Sequence, residues 1–188
     1  MTMTRIEAYH GTGLESAQTI CKTSFNKSEG ENQWLGDGVY FFVDGISDPK
    51  ENASKWAVVN AWDKKAHKNK YDKYGVLLAN IDVNDDDVFD MRREEIARFF
   101  NEYRNEFNKK IIEAGRSYEK FEDANILNEM REFKIHPLKV VVAAMYVKLT
   151  KDERILKIES RLPNTTICSV NDENCIKNAR IVKTGDVE

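Results

Sequence analysis

Two strand-like runs, each bordered by glycines, constrain the fold of this 188-residue chain more than any other feature. Residues 6–9 run into His10-Gly11-Thr12-Gly13, and Val39–Val43 follows Gly36-Asp37-Gly38. Glycine reaches backbone conformations that are closed to other residues, so the first run is expected to end in a turn at residues 10–13. Both elements combine a strand edge, small flexible residues and a side chain that can recognise a ligand, His10 in the first and Tyr40 in the second.

Helical spacing follows each strand. Apolar residues between 14 and 21 recur at intervals of three and four, which predicts a short helix directly after Gly13. Asp48 and Pro49 mark a break, after which the spacing of small and aromatic residues predicts a second helix that ends in lysine-rich sequence near Lys70. The intervening segment, residues 24–33, is polar and is expected to be a loop.

The second half of the chain is expected to supply further strands and a helical insert. Residues 75–83 read as a buried strand closed by a solvated turn at Asp85–Asp87, and residues 140–147 are the strongest strand candidate. Shorter strands are predicted at 155–158, 167–170 and 181–183. Between them, residues 91–133 predict two helices that are split around Gly115. Their apolar stripe is expected to pack in the core and comprises Ile96, Phe99, Phe100, Tyr103, Phe107, Ile111, Tyr118, Phe121, Leu127 and Met130.

The composition limits the kinds of fold and function that we expect for this chain. A chain of this length that is 41% hydrophobic favours one domain over residues 1–188. Its 29 basic and 32 acidic residues nearly balance, so a nucleic-acid target would need a local cationic patch. No apolar run is long enough for a membrane helix, and we expect a cytoplasmic protein with no membrane partner. Three scattered cysteines predict neither a disulfide framework nor a metal site; they are Cys21, Cys168 and Cys175.

The two glycine-bordered motifs together resemble the diphtheria-toxin-like branch of the ADP-ribosyltransferases, which includes the poly(ADP-ribose) polymerases and many bacterial toxins. That branch carries a histidine followed by Gly and Ser or Thr on its first strand, and a tyrosine about thirty residues later in a Gly-x-Gly-(Ile/Val)-Tyr-Phe strand. Here His10 and Tyr40 occupy these places. The resemblance extends over roughly residues 6–60 and the last strands, and it does not cover residues 91–133.

The resemblance implies an α+β fold with a split antiparallel β-sheet core and a helical insertion. It also implies NAD as a co-substrate and transfer of ADP-ribose to a macromolecule, either protein or nucleic acid. Small intracellular bacterial toxins of toxin–antitoxin or phage-defence systems are similar in size, so an antitoxin protein is an expected partner. No metal is required for this chemistry.

The candidate site follows from the needs of the nicotinamide and its ribose. A flat cation needs an aromatic face and paired backbone groups for its carboxamide, which Tyr40 and Gly11 are expected to provide. His10 and Thr12 are expected to hydrogen-bond the ribose hydroxyls. The motif adds Gly38, and the family's helical aromatic that closes over nicotinamide matches Trp56. Ordinary core packing is the alternative role for His10, Tyr40 and Trp56. The sequence indicates no function for His67 and His136.

The sequence departs from the family at the third position, where the family usually has a glutamate at the start of a late strand. The matching strand contains threonine, and Thr166 is the candidate; Glu159 and Glu173 are the alternative carboxylates. Threonine keeps a hydrogen bond to the ribose without a charge, which disfavours chain elongation and favours transfer of a single ADP-ribose. A catalytically silent module that binds NAD or ADP-ribose is the alternative. An RNA 2'-phosphotransferase would need a spaced set of basic residues that the sequence does not show.

Overall fold

Five helices and nine strands make up the described part of the chain, residues 2–30, 33–116 and 122–187 of a computed structural model. The helices are α1 (Leu14–Lys22), α2 (Pro49–Ala61), α3 (Glu94–Glu113), α4 (Asp123–Glu132) and α5 (Lys151–Ile155). The strands are β1 (Met3–Gly13), β2 (Val39–Val43), β3 (Trp62–Asp63), β4 (Lys68–Asn69), β5 (Lys73–Asn84), β6 (Val88–Asp90), β7 (Val140–Met145), β8 (Thr165–Val170) and β9 (Ile176–Asp186).

Seven of these strands form one sheet in the order β6-β7-β8-β2-β1-β5-β9, and β3 pairs with β4 in a separate hairpin. Pairing is antiparallel except between β6 and β7. The chain is therefore a mixture of helices and a large, mostly antiparallel sheet, which is compatible with the α+β class that the sequence predicts. Across the described residues, no helix is both long and apolar enough to cross a lipid bilayer.

The sheet is nearly divided in two between β1 and β2. Strand β1 pairs with β5 over its full length, whereas the register between β1 and β2 contains two residue pairs, Ala8–Val43 and Tyr9–Phe42. Beyond Tyr9 the two strands separate. A cleft opens at this point, between the halves β6-β7-β8-β2 and β1-β5-β9.

Each face of the sheet buries its own hydrophobic core. One core lies under α2, α3 and α4 and includes Phe89, Phe100, Leu127 and Met130. The other lies under α1 and the segment that follows it, with Phe25 against Phe41. Strand residues alternate between these two cores because successive side chains of a strand point to opposite faces. Helix α2 comes especially close to the sheet, since buried alanines at 53, 57 and 61 line one side of it.

Helix α2 begins where the sequence indicates but ends earlier. Asp48 caps it by accepting a hydrogen bond from the Glu51 amide at 3.0 Å, and Pro49 fits the first turn because proline lacks the amide hydrogen that is unpaired there. The predicted end near Lys70 is wrong. The helix ends at Ala61, and Trp62 turns into an extended conformation that starts the β3–β4 hairpin.

Two further sequence predictions are corrected. Strand β1 does not end in a turn at His10, because β5 pairs with it without a break from Met3 to Gly13. Residues 155–158 are not a strand: a capping box between Thr150 and Glu153 starts α5, which ends at Ile155. The helices split around Gly115, at φ +72°, are confirmed. The predicted stripe residues Tyr118 and Phe121 lie outside the described residues.

Candidate functional site

A cleft of about 320 Å³ lies where β1 and β2 separate. It brings together five of the residues that the sequence singles out: His10, Gly11, Thr12, Tyr40 and Trp56. Its size lies at the lower end of the range for small-molecule sites. The other described residues of its wall are mostly neutral hydrogen-bonding or aromatic side chains: Asn26, Ser28, Gln33, Trp34, Val39, Phe41, Phe42, Asn60 and Ile167.

The imidazole of His10 bridges the two strands at the point where their ladder stops. Its Nδ1 lies 2.8 Å from the backbone oxygen of Tyr40. A carbonyl oxygen only accepts hydrogen bonds, so Nδ1 carries the proton and the neutral ring keeps Nε2 as an acceptor. Burial lowers the pKa of His10 and outweighs the opposing effect of the carbonyl, which favours that neutral form. The ring packs edge-on against Phe25 and Phe41, with centroid distances of 5.4 and 5.8 Å.

The lowered pKa of His10 predicts a specific loss of stability in acid. Below about pH 6.5 an unfolded chain protonates this histidine while the folded protein does not. The unfolded state then binds more protons, so stability falls as the pH drops from about 6.5 towards the lowered folded pKa. In His10→Asn, the side-chain amide can still donate to Tyr40 but does not titrate.

Urea unfolding of the two proteins between pH 7.5 and 5 checks this expectation. We expect the free energy of unfolding of the wild type to fall more steeply with acidification than that of His10→Asn. Parallel pH profiles for the two proteins would show that His10 does not contribute to the acid sensitivity.

Gly11 places backbone groups at the opening between the strands. The carbonyl of Thr2 accepts from the Asp85 amide at 3.0 Å, so the even-numbered residues of β1 turn their backbone groups towards β5. Backbone groups of alternate strand residues point to opposite sides. The amide and carbonyl of Gly11 therefore point away from β5, into the separation between β1 and β2. A side chain is not tolerated here, because a Cβ would overlap the Ala53 carbonyl of α2.

The Tyr40 hydroxyl fastens the loop that precedes its own strand. It donates to the Gly36 carbonyl and accepts from the Leu35 amide, both at 2.7 Å. Burial raises the pKa of Tyr40, which keeps the phenol neutral and able to donate. The ring of this tyrosine is thus held in place at its polar end while its face belongs to the cleft wall.

An aromatic wall completes one side of the cleft. Trp34 stands edge-on to both Tyr40 and Trp56, with centroid distances of 6.2 and 5.5 Å, and Trp56 lies 6.5 Å from Phe42. The guanidinium of Arg154 lies 5.1 Å from the Trp56 ring centroid and also donates to the Val59 carbonyl. Trp34 is about one-third exposed, and the motifs in the sequence do not include it. Its position two residues before Gly36 was the available signal.

Helix α4 holds the loop that carries Trp34. Asn128 exchanges two hydrogen bonds with Asp37, accepting from its amide at 2.8 Å and donating to its carboxylate at 3.2 Å. Arg131, whose pKa burial lowers, donates to the Leu35 carbonyl at 3.3 Å. The helical insert therefore shapes a wall of the cleft, although the resemblance does not cover it.

Replacing Asn128 with leucine is expected to destabilise the protein by about 2 kcal/mol, since the Asp37 amide loses its acceptor and the Asp37 carboxylate keeps the Gly30 amide but loses Asn128. Urea unfolding measures this loss, and Trp34 should become more accessible to a fluorescence quencher in a background that carries Trp56→Phe and Trp62→Phe. Asn108→Leu on the exposed face of α3 is the matched control. Equal stability of the two variants would contradict the holding role of Asn128.

Two predicted site residues lie outside the described cleft wall. Thr166 is fully buried, and its hydroxyl accepts from the Ile46 amide at 3.3 Å. The β2–β8 register pairs Phe42 with Ile167, so Thr166 lies level with Val43, where β1 and β2 are still paired, and not at the opening beyond Tyr9. Gly38 exchanges two backbone hydrogen bonds with Ser28, each 3.0 Å long. A Cβ on Gly38 would overlap the Ser169 hydroxyl, which explains why glycine is present.

The alternative carboxylates also lie away from the cleft. Glu159 is mostly exposed and pairs with Lys148 at 3.7 Å. Glu173 starts a short 3-10 turn and lines a different depression. Among the described wall residues, His10 is the sole ionisable group besides the phenol of Tyr40. The described chain has no cluster of three His, Cys, Asp or Glu residues suited to a metal ion.

Comparison with known proteins identifies a relative of unknown role. No family model matches the chain. An uncharacterized protein of Methanocaldococcus jannaschii is 30% identical over 103 residues. The aligned part covers 54% of this chain, and the chain spans 44% of the length of that relative.

Proposed function

We propose that this protein is an NAD-dependent mono-ADP-ribosyltransferase whose donor site is the cleft between β1 and β2. The observation that carries the proposal is the meeting of His10, Gly11 and Tyr40 around one cavity at the division of the sheet. His10 and Tyr40 lie 30 positions apart in the chain, and each belongs to a glycine-bordered motif that the sequence alone identifies. The resemblance to ADP-ribosyltransferases implies a split sheet and a site that contains both His10 and Tyr40.

The nicotinamide ring would lie against the Tyr40 ring. The carboxamide of nicotinamide has one acceptor and one donor, and the Gly11 amide and carbonyl offer the complementary pair. An aromatic wall suits a flat cation, since ring faces attract positive charge. Trp56, at the edge of this wall, would shield the ring from water.

The ribose would be held by His10 and Thr12. The free Nε2 of His10 accepts a hydrogen bond from a sugar hydroxyl, and the Thr12 hydroxyl can donate or accept. The fixed tautomer of His10 matters here, because a protonated Nε2 could only donate to the hydroxyl oxygen and could no longer accept the hydroxyl proton.

NAD supplies the leaving group and the electrophilic sugar carbon. The glycosidic bond breaks with its electron pair going to the nicotinamide nitrogen, the acceptor's lone pair forms the new bond to C1, and the acceptor's proton passes to solvent. The residues of the cleft orient the sugar and exclude water from it. Transfer of one unit, rather than elongation, is expected because no carboxylate belongs to the described cleft wall.

That uncharged wall also favours a second candidate, a module that binds NAD or ADP-ribose without cleaving it. A carboxylate normally stabilises the positive charge that develops on the sugar. Release of nicotinamide separates the two candidates: a transferase releases it in the presence of an acceptor, and a binding module does not.

Mass spectrometry of a cell lysate incubated with NAD and the protein tests the proposal. We expect new ADP-ribose adducts on protein or nucleic acid with the wild type and none with Tyr40→Ala. The Asn108→Leu protein should behave as the wild type. If all four samples, including lysate without added protein, show the same adducts, the transferase proposal fails.

A toxin role is part of the proposal. If the acceptor is an essential macromolecule, induced expression of the wild type in bacteria slows growth, and expression of His10→Ala at the same level does not. Equal growth of the two strains would remove the toxin role and its implied antitoxin while leaving the transferase proposal intact.

A further inference from the structure

A basic hairpin with an exposed tryptophan stands next to the cleft. Residues 62–70, the β3–β4 hairpin and Lys70, contain four lysines and one aspartate in a chain whose net charge is −3. Trp62 is 49% exposed. Proteins that bind single-stranded nucleic acid combine exposed aromatic rings with clustered cations, because a base stacks on the ring while the phosphates contact the cations.

The hairpin is anchored to the end of α2, the helix that contributes to the cleft. Trp56 and Asn60 lie one helical turn apart and both belong to the cleft wall. Lys70 donates from its ammonium group to the Asn60 carbonyl at 2.9 Å and from its amide to the Ala61 carbonyl at 2.8 Å. Trp62 follows Asn60 by two residues, so their Cα atoms are within about 7 Å.

Three lysines of the hairpin have their charges available to a partner. The Asp63 carboxylate accepts from the amides of Lys65 and Ala66 at 2.8 and 3.0 Å, so it is occupied in the turn. Lys64, Lys65 and Lys68 are exposed, and none of their ammonium groups forms an ion pair with a residue that the structure describes. This is the local cationic patch that the overall composition does not reveal.

We propose that the β3–β4 hairpin binds single-stranded nucleic acid beside the cleft, with Trp62 stacking on a base and Lys64, Lys65 and Lys68 contacting phosphates. The bound nucleic acid would then lie beside the part of the cleft wall that Asn60 and Trp56 form. The conclusion that this nucleic acid is the acceptor of ADP-ribose rests on the proposed function, whereas the binding itself does not.

Fluorescence anisotropy of labelled oligonucleotides of about 15 nucleotides, without NAD, tests the binding. We expect Trp62→Ala to weaken binding about tenfold. Replacing Lys64, Lys65 and Lys68 together by glutamine should reduce the slope of log affinity against log salt by about 2. A control in which Lys109, Lys110 and Lys177 become glutamine changes the net charge equally and should keep the wild-type affinity.

RNA and DNA oligonucleotides of one sequence are tested separately. Binding of either supports the proposal, and the tighter binder shows whether the protein prefers ribose or deoxyribose. Binding that is absent from the wild type, or equally weakened by the control triple, would overturn it. So would competition by polyglutamate as effective as that by the oligonucleotide, because the patch would then be a site for an acidic protein. Failure of NAD transfer leaves this result unaffected, so the two proposals can fail separately.

Discussion

Gly11→Ala is expected to destabilise the protein by about 3 kcal/mol and to abolish binding at the cleft. The Cβ of alanine would overlap the Ala53 carbonyl oxygen, which is backbone and cannot rotate away as a side chain can. Helix α2 must shift as a body, and overpacking of this kind costs about 1 to 3 kcal/mol or more. The shift would also displace Trp56, which is on the same helix.

Urea unfolding of Gly11→Ala and of Thr12→Ala measures the effect. Thr12 is the neighbouring residue, it is partly exposed, and its truncation creates no overlap, so it is expected to lower stability by less than about 1 kcal/mol. If Gly11→Ala proved as stable as Thr12→Ala, α2 would not contact β1 as closely as described.

Tyr40→Phe has the second large effect, about 2 kcal/mol or more. The change keeps the ring but removes the hydroxyl, which leaves the Leu35 amide and the Gly36 carbonyl without a partner in a partly buried place. Loosening of the loop would shift Trp34, and its fluorescence reports the change in proteins that carry Trp56→Phe and Trp62→Phe as a common background.

Tyr103→Phe is the matched control for Tyr40→Phe. Its hydroxyl makes a single 3.2 Å hydrogen bond, to Glu129 on α4, and a smaller loss of stability is expected. Because Tyr40→Phe keeps the aromatic face, NAD binding should weaken less in this variant than in Tyr40→Ala. An equal loss in both would assign the role of Tyr40 to its hydroxyl rather than to its ring.

The sequence predicts much of the local structure because local rules govern it. Helix α1 and strand β2 follow from apolar spacing, and the start of α2 follows from Asp48 and Pro49. The glycines at 11 and 13 predict a turn that ends β1 too early, whereas β1 continues to pair with β5 and Gly11 is required by the close approach of α2. Pairing between strands that are far apart in the chain cannot be predicted from a short stretch of sequence.

The candidate site was predictable in its motifs and not in its surroundings. The sequence neighbours of His10 and Tyr40 identify both residues, and both line one cavity. The bonds of Asn128 and Arg131 to the 35–37 loop join residues about 90 positions apart, so no spacing rule detects them. Strand alignment points to Thr166, but how far a residue of β8 lies from the cleft depends on the register between β2 and β8.

Calorimetric titration of NAD into the wild type, His10→Ala and Thr166→Val tests the central claim most directly, because it needs no acceptor. We expect saturable binding to the wild type, affinity at least tenfold lower for His10→Ala, equivalent to about 1.4 kcal/mol, and wild-type affinity for Thr166→Val. Absence of NAD binding by the folded wild type, or equal binding by His10→Ala, would contradict the assignment of the cleft as a nucleotide site.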